Sequence, residues 1–243
     1  MSENGADAAV TSYRVDEQGI ALIRLERPKA RNAINTQMLG ELLEHLAVAR
    51  GDEAVRVLVI SSADHMGLSA GADVREQLDA EAHVRRMQLF SDLYDTIVAF
   101  PKPTIAVCHG DVVGGGAEIS IACDMRVGGS NLRMRFPGAA LGMPVGPARL
   151  VTLCGLATAK YLLLSSRTVG ADEALRLGLV NRVAPAAGTE TAALELAAEV
   201  SNHPPEAVAR LKAMLHEWDD VVGRSASEGA GQVEHVRAGG FPK

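Results

Sequence analysis

Between Ala106 and Arg126 the chain reads AVCHGDVVGGGAEISIACDMR, which sets a β-branched apolar run, three consecutive glycines and a short apolar helix in immediate succession. Ile105 to Cys108 ends at His109-Gly110, and Val112-Val113 runs straight into Gly114-Gly115-Gly116. Few folds accept an extended run that turns on glycine directly into a helix, because the turn needs backbone angles closed to other residues. Ala117 to Cys123 reads as the helix, so its free N–H groups and the positive end of its dipole lie at the glycines. Such a place can hold a negative oxygen, and Glu118 stands in the first turn beside it. Two readings fit these residues: a glycine-rich turn with a dipole-favoured glutamate, or an anion cradle with a carboxylate at hand.

The segments on either side supply the rest of a mixed α/β (α+β) chain. Tyr13 to Asp16 and Ile20 to Leu25 alternate around Glu17-Gln18-Gly19 and read as a hairpin. Asn35 or Thr36 can cap a helix from Gln37 to Arg50, where Met38, Leu39, Leu42, Leu43, Leu46 and Ala47 recur at helical spacing. Val55 to Ile60 is a continuous apolar run and predicts a buried parallel strand. A second glycine turn, Ala70-Gly71-Ala72, precedes Asp73. A helix from Ala80 to Phe100 follows and ends at Pro101. Met125 to Val127 predicts a strand, followed by a loop to Phe136-Pro137-Gly138. Gly146 to Ser166 predicts one or two helices, with Gly155 as the break. Thr168 to Val183 reads as a capped helix, a glycine stop at Gly178 and a strand. From Ala184 onward the pattern is helical, with Pro204-Pro205 opening one helix. These patterns divide the chain into a core of residues 1–183 and a helical region of residues 184–243.

Composition narrows the partners. A formal charge of −6 without a long basic run argues against nucleic acid, and aromatic residues at 3% suit close helix packing better than base stacking. No apolar stretch is expected to reach the roughly 20 residues of a membrane span. Met1 to Ser12 is small and polar, reads as a disordered lead-in, and shows no signal pattern, so a cytoplasmic location is expected. Cys108, Cys123 and Cys154 sit in apolar runs without metal-ligand spacing, so reduced thiols and no metal site are expected.

Five segments in order resemble the crotonase family, also called the enoyl-CoA hydratase/isomerase family: LERPKARNAIN, LSAGADV, AVCHGDVVGGGAEISIACDMRV, ADEALRLGLVNRV and ELAAEVSNHPPEAVARLKAML. The resemblance implies a crotonase-like spiral of β-β-α turns with C-terminal helices that assemble trimers or paired trimers. It also implies an acyl-CoA thioester as the ligand, with no cofactor beyond the CoA of the substrate. The family stabilises a thioester enolate with two backbone N–H groups, which by motif position are those of Ala72 and Gly115. Fixed donors aimed at developing charge are worth about 3 kcal/mol each. Lys29, Ala30, Arg31 and Ala33 fall where the family binds CoA, as do Ala70, Gly71 and Asp73; the resemblance implies that Gly114, Pro137, Gly138 and Leu141 also belong to the substrate/CoA site.

Family hydratases carry two glutamates. Glu118 matches the first, whereas Gly138 stands in place of the second, in the Pro137-Gly138-Ala139-Ala140-Leu141-Gly142 segment. No Asp or Glu occurs from Met125 to Tyr161. The loop MPVGPARL is also a few residues shorter than the family's glycine-rich run before Arg-Leu. One positioned acid or base is worth about 10²- to 10⁴-fold in rate. The resemblance therefore implies either an enoyl-CoA hydratase/isomerase-like lyase working with Glu118 alone, or an acyl-CoA-binding protein with little or no turnover. His109 reads as a structural histidine or a polar pocket group, His65 and Arg135 as solvated, and Asp124 as fixing the turn from helix to strand.

Overall fold

The computed structural model describes residues 8–240. β1 (Thr11–Val15) and β2 (Ile20–Leu25) form the expected antiparallel hairpin, closed by Asp16, whose Oδ1 accepts from the N–H groups of Gln18 and Ile20, each at 2.9 Å. α1 (Thr36–Gly51) starts at Asn35, whose Oδ1 accepts from Met38 N–H at 3.0 Å and so satisfies one of the helix's orphan donors. β3 (Val57–Ser62), α2 (Ala80–Val98, capped by Asp79) and β4 (Thr104–Cys108) come next. β5 (Asp111–Val113) leads through Gly114 into α3 (Gly115–Ala122), and β6 (Met125–Gly129) returns to the main sheet. β7 (Arg133–Arg135), α4 (Pro147–Ser165), β8 (Thr168–Gly170), α5 (Ala171–Arg176) and β9 (Arg182–Ala184) precede α6 (Thr189–Ser201), α7 (Pro205–Asp219) and α8 (Val221–Arg237).

Two sheets result. The larger has the order β1-β2-β3-β4-β6-β9 and is parallel from β2 onward; the smaller has the order β5-β7-β8. β3 shows why a parallel strand is apolar throughout. Its Leu58 and Ile60 join the core that holds Met38, Leu42, Leu93 and Ile97 of α1 and α2. Val57 and Val59 point the other way and pack with Val107, Val127 and Leu196. α6 thus covers the far face of the sheet and belongs to the body, although its sequence lies beyond residue 183.

Several expectations need correction. Thr11 and Ser12 are part of β1 rather than of the polar lead-in, with Thr11 N–H donating to Glu41 Oε2 at 2.9 Å; residues 1–7 of that lead-in lie outside the described residues. The loop before Phe136 contains β7, and Thr168–Gly170 is a strand rather than the start of a helix. Each is a three-residue piece fixed by pairing with its neighbour and too short to show a period. α4 is, by length and composition, apolar enough to cross a membrane, contrary to the expectation from the sequence. Gly155 breaks it with φ 76° and ψ 160°, and Leu156, Tyr161 and Leu164 on it are exposed.

Candidate active site

The loop that follows β3 is held beside β5 as if it were another strand. Leu68 N–H donates to His109 O at 3.1 Å, Ser69 N–H to Asp111 O at 3.1 Å, and Val113 N–H to Ser69 O at 3.0 Å. The two glycine turns therefore meet. Gly71 (φ +99°) lies so close to the other turn that a Cβ on it would stand 3.0 Å from Val113 O and 3.6 Å from Gly115 N, and Gly114 has φ +50°. Both positions need the left-handed backbone that glycine tolerates.

The pairing around these turns leaves two donors out. Ile34 N–H donates to Gly71 O and Asp73 N–H to Ile34 O, each at 2.8 Å, so Ala72 N–H points away from the ladder. Gly115 opens α3, where N–H groups have no intrahelical acceptor. Neither N–H donates to any group among the described residues. They border a cavity of about 380 Å³ whose wall includes Ala70, Gly71, Ala72, Gly114, Gly115, Glu118, Pro137, Gly138 and Leu141, with Met87, Phe90 and Val145 as apolar lining. Lys29, Ala30, Arg31, Ala33 and Asp73 lie outside this wall. They belong to a neighbouring layer in which Asn32 Nδ2 donates to Ser62 Oγ at 2.8 Å, Ala70 N–H donates to Arg31 O at 3.0 Å, and Arg27 pairs with Asp73 at 2.9 Å. Burial works against the Asp73 carboxylate, but the Arg27 and Arg75 contacts outweigh it and hold the group below its usual range. Larger hollows, of about 610, 690 and 450 Å³, are lined by neither Glu118 nor the glycine turns.

Glu118 is buried, at 1% exposure. Its Oε2 accepts from Arg149 Nη2 at 2.9 Å; its Oε1 accepts from no described group and lies against Gly146, where an added Cβ would come within 2.7 Å. Arg149 also donates to Glu228 Oε1 at 2.7 Å and to Ser225 Oγ at 2.9 Å, and its guanidinium lies 4.9 Å from the centre of the Tyr94 ring. Burial pushes the Glu118 carboxyl up to about 7; Arg149 opposes the rise and Glu228 adds to it. Burial, with Glu118 nearby, likewise holds the Tyr94 hydroxyl well above its ordinary range, so Tyr94 faces the cavity as a neutral O–H.

A family model described as enoyl-CoA hydratase/isomerase matches residues 15–230. The chain belongs to that family. It is 33% identical over 208 residues to the 2,3-dehydroadipyl-CoA hydratase of Escherichia coli (strain K12), covering 84% of this chain and 81% of that protein. It is 40% identical over 183 residues to the human mitochondrial enoyl-CoA hydratase domain-containing protein 2, covering 73% and 62%. Among solved structures, an enoyl-CoA hydratase/isomerase from Xanthobacter autotrophicus Py2 superposes with a TM-score of 0.86 at 26% identity, over 96% of this chain and 89% of the other.

At Gly138, where the sequence resemblance leads one to expect a second carboxylate, backbone fills the space. Gly138 has φ −50° and ψ −50°, a conformation open to any residue, yet a Cβ there would lie 2.5 Å from Met143 O and 3.0 Å from Val145 Cγ1. Met143 N–H donates back to Gly138 O at 2.8 Å. The short loop after Leu141 is folded tightly onto the glycine. His109 stands away from the cavity, its Nε2 bonded to Asp64 O at 2.8 Å. His65 is exposed, and Arg135 is exposed and borders the cavity while its Nε donates to Ser166 O at 2.7 Å. Asp124 accepts from Thr104 N–H and from Lys212 Nζ, both at 2.7 Å, and so ties the end of α3 to β4 and α7. All three cysteines are free thiols. Sequence reasoning missed Tyr94 and Glu228 and saw Arg149 only as half of a motif. The available signal was the spacing of Ser225, Glu228 and Gln232 along one face of α8.

Proposed function

We propose that this protein hydrates, or reversibly dehydrates, an acyl-CoA thioester with Glu118 as its single proton-transfer carboxylate. The observation that carries the reading is the convergence of two unengaged N–H groups, from Ala72 and Gly115, on a cavity that also holds the free Oε1 of a buried carboxyl. In hydration, the oxygen of water bonds to the β-carbon of the enoyl group and a water proton passes to Glu118 Oε1. The electron pair of the double bond moves to the thioester oxygen, where the two N–H groups hold the enolate. The protonated Glu118 then delivers its proton to the α-carbon, which restores the carboxylate and completes the addition. A carboxyl that titrates near neutrality suits both halves of that relay. Lys29, Ala30, Arg31 and Ala33, with Ala70, Gly71 and Asp73, form the side on which the CoA nucleotide and pantetheine would lie, and no further cofactor or metal is invoked.

The backbone packed against Gly138 favours a second reading, in which the acyl-CoA is bound with little or no turnover. Rate measurements over short, medium and long enoyl-CoAs, run beside calorimetric titration with the same ligands, separate the two. Hydration of any of them supports the enzyme, heat without product supports the binding protein, and neither heat nor product overturns both. A trimer or pair of trimers in the cytosol completes the proposal. Leu211, Leu215 and Trp218 of α7 and Leu156, Tyr161 and Leu164 of α4 are exposed apolar side chains that such an assembly could cover. Light scattering that gives the mass of a single chain at micromolar concentration would overturn the assembly.

A further inference from the structure

Glu228 is 79 residues from Arg149 in the chain, yet its carboxylate meets four donors: Gly146 N–H at 2.9 Å, Ala148 N–H at 2.6 Å, Arg149 Nη2 at 2.7 Å and Gln232 Nε2 at 2.9 Å. Two of these are orphan N–H groups at the start of α4, so one carboxylate both caps that helix and holds the guanidinium that grips Glu118. α8 can deliver it because Gly229 lets the helix lie directly on α2, where an added Cβ would stand 1.9 Å from Ser91 Oγ. Ser225, on the same face of α8, accepts from Arg149 Nη1 and donates to Asp95 Oδ1 at 2.6 Å. Arg149 is thus shared between two buried carboxylates, with side-chain exposures of 2% for Glu118 and 9% for Glu228.

We infer that Glu228 is a positioning residue for Glu118, acting through Arg149, so that the last helix of the chain completes the reaction centre built by the glycine turns. Glu228 is not among the residues that line the cavity. Its effect is electrostatic and geometric. It fixes the rotamer of Arg149 so that one fork of the guanidinium reaches Glu118 Oε2 and leaves Oε1 free. It also takes a share of the single positive charge, so the Glu118 carboxylate is less fully compensated. The groups that face this trio are Tyr94 and Asp95 from α2, while Glu76, His83, Arg86 and Arg135 border the same cavity.

The inference rests on the proposed proton relay, and its test separates the two. The midpoint of Glu118 is read directly from its carboxyl infrared band, assigned by difference against Glu118→Gln, in the otherwise wild-type protein and in Glu228→Gln. With Glu228 neutral, Arg149 compensates Glu118 alone and a like charge is gone, so the midpoint should fall by about one pH unit or more. The acid limb of the pH–rate profile should move down with it, while KM for the enoyl-CoA stays within a few fold. Glu228→Asp keeps the charge and should retain most of the original midpoint. A helix cap alone would lower thermal stability in Glu228→Gln without moving the midpoint. An unmoved midpoint overturns the inference. A lowered midpoint in a protein without measurable hydration leaves the link between α8 and Glu118 standing and removes the enzymatic reading instead.

Discussion

The two sides of the cavity, at Glu118 and at Gly138, are built in opposite ways. On the α3 side, Glu118 is held by an arginine that a second helix holds in turn, and the helix bearing that arginine is capped by the same distant glutamate. Across the cavity, Gly138 offers no side chain, and the carbonyl of Met143 occupies the space into which one would grow. The contrast teaches that the glycine at 138 and the loop packed on it form one unit. The Met143 carbonyl and Val145 close over Gly138, while Glu118 has a supporting shell of the kind that proton transfer at one site would require.

The largest expected effect tests the braced side. Glu118→Gln keeps size and the bond to Arg149 but removes the proton acceptor, so hydration should fall by about 10²-fold or more. Acyl-CoA affinity from calorimetry should change only a few fold. A rate that survives the change would end the contrast, because the collapsed side would then be doing the chemistry by another route.

The same variant reports on stability. The Glu118 carboxyl titrates near 7 in the folded chain, above its ordinary value of 4.5, so between those values the folded state binds more protons than the unfolded one. Its contribution is fully present below about pH 4.5 and is lost as pH rises to about 7. Glu118→Gln lacks that loss. Relative to wild type it should gain on the order of 3 kcal/mol between pH 5 and pH 8, because each pH unit separating the folded from the unfolded titration is worth about 1.4 kcal/mol. Urea unfolding at the two pH values measures the difference, and equal differences at both would show that Glu118 is not buried as a reluctant charge.

How much of this contrast the sequence carries depends on its range. The strand, glycine turn and helix from Thr104 to Ala122 are legible because β-branched run, glycines and apolar helix are contiguous, and Asn35 announces its helix through cap chemistry. Gly71 meeting Gly115 is legible only through motif resemblance, since the approach depends on pairing between two loops. β7 escapes notice because Arg133-Met134-Arg135 offers one apolar residue between two charges. Glu228 escapes because the spacing of Ser225, Glu228 and Gln232 marks a polar face of α8 without saying which residues of α3 and α4 that face meets. At Gly138 the missing side chain is plain in the sequence, but the direction of the Met143 carbonyl is not.

The collapsed side is tested next. Gly138→Ala should destabilise by about 1–3 kcal/mol, since its Cβ must displace a backbone carbonyl rather than a flexible side chain. Gly138→Glu should bind acyl-CoA no better and hydrate no faster than wild type. Inserting residues between Met143 and Gly146 to free the carbonyl should make the grafted glutamate tolerable, and only then should the rate rise. A substantial gain from Gly138→Glu alone, in a folded protein of undiminished thermal stability, would show that the loop moves aside easily and that the two changes are independent.

The smallest effect sharpens the contrast at its boundary. Tyr94 borders the cavity beside the Glu118 side: its ring carries the Arg149 guanidinium, and its hydroxyl lies 3.4 Å from where a Cβ on Gly115 would be. That distance puts a neutral O–H close to the N–H proposed to hold the enolate, without a partner among the described residues. Tyr94→Phe keeps the ring, and with it the stacking worth about 0.5–2 kcal/mol, while deleting only the oxygen. Thermal stability should therefore be unchanged, and kcat should fall only a few fold if the hydroxyl merely adds a weak third contact to the substrate. A fall as deep as that of Glu118→Gln, with KM unaltered, would mean that the second proton-handling group was not lost with the carboxylate at position 138 but moved to α2.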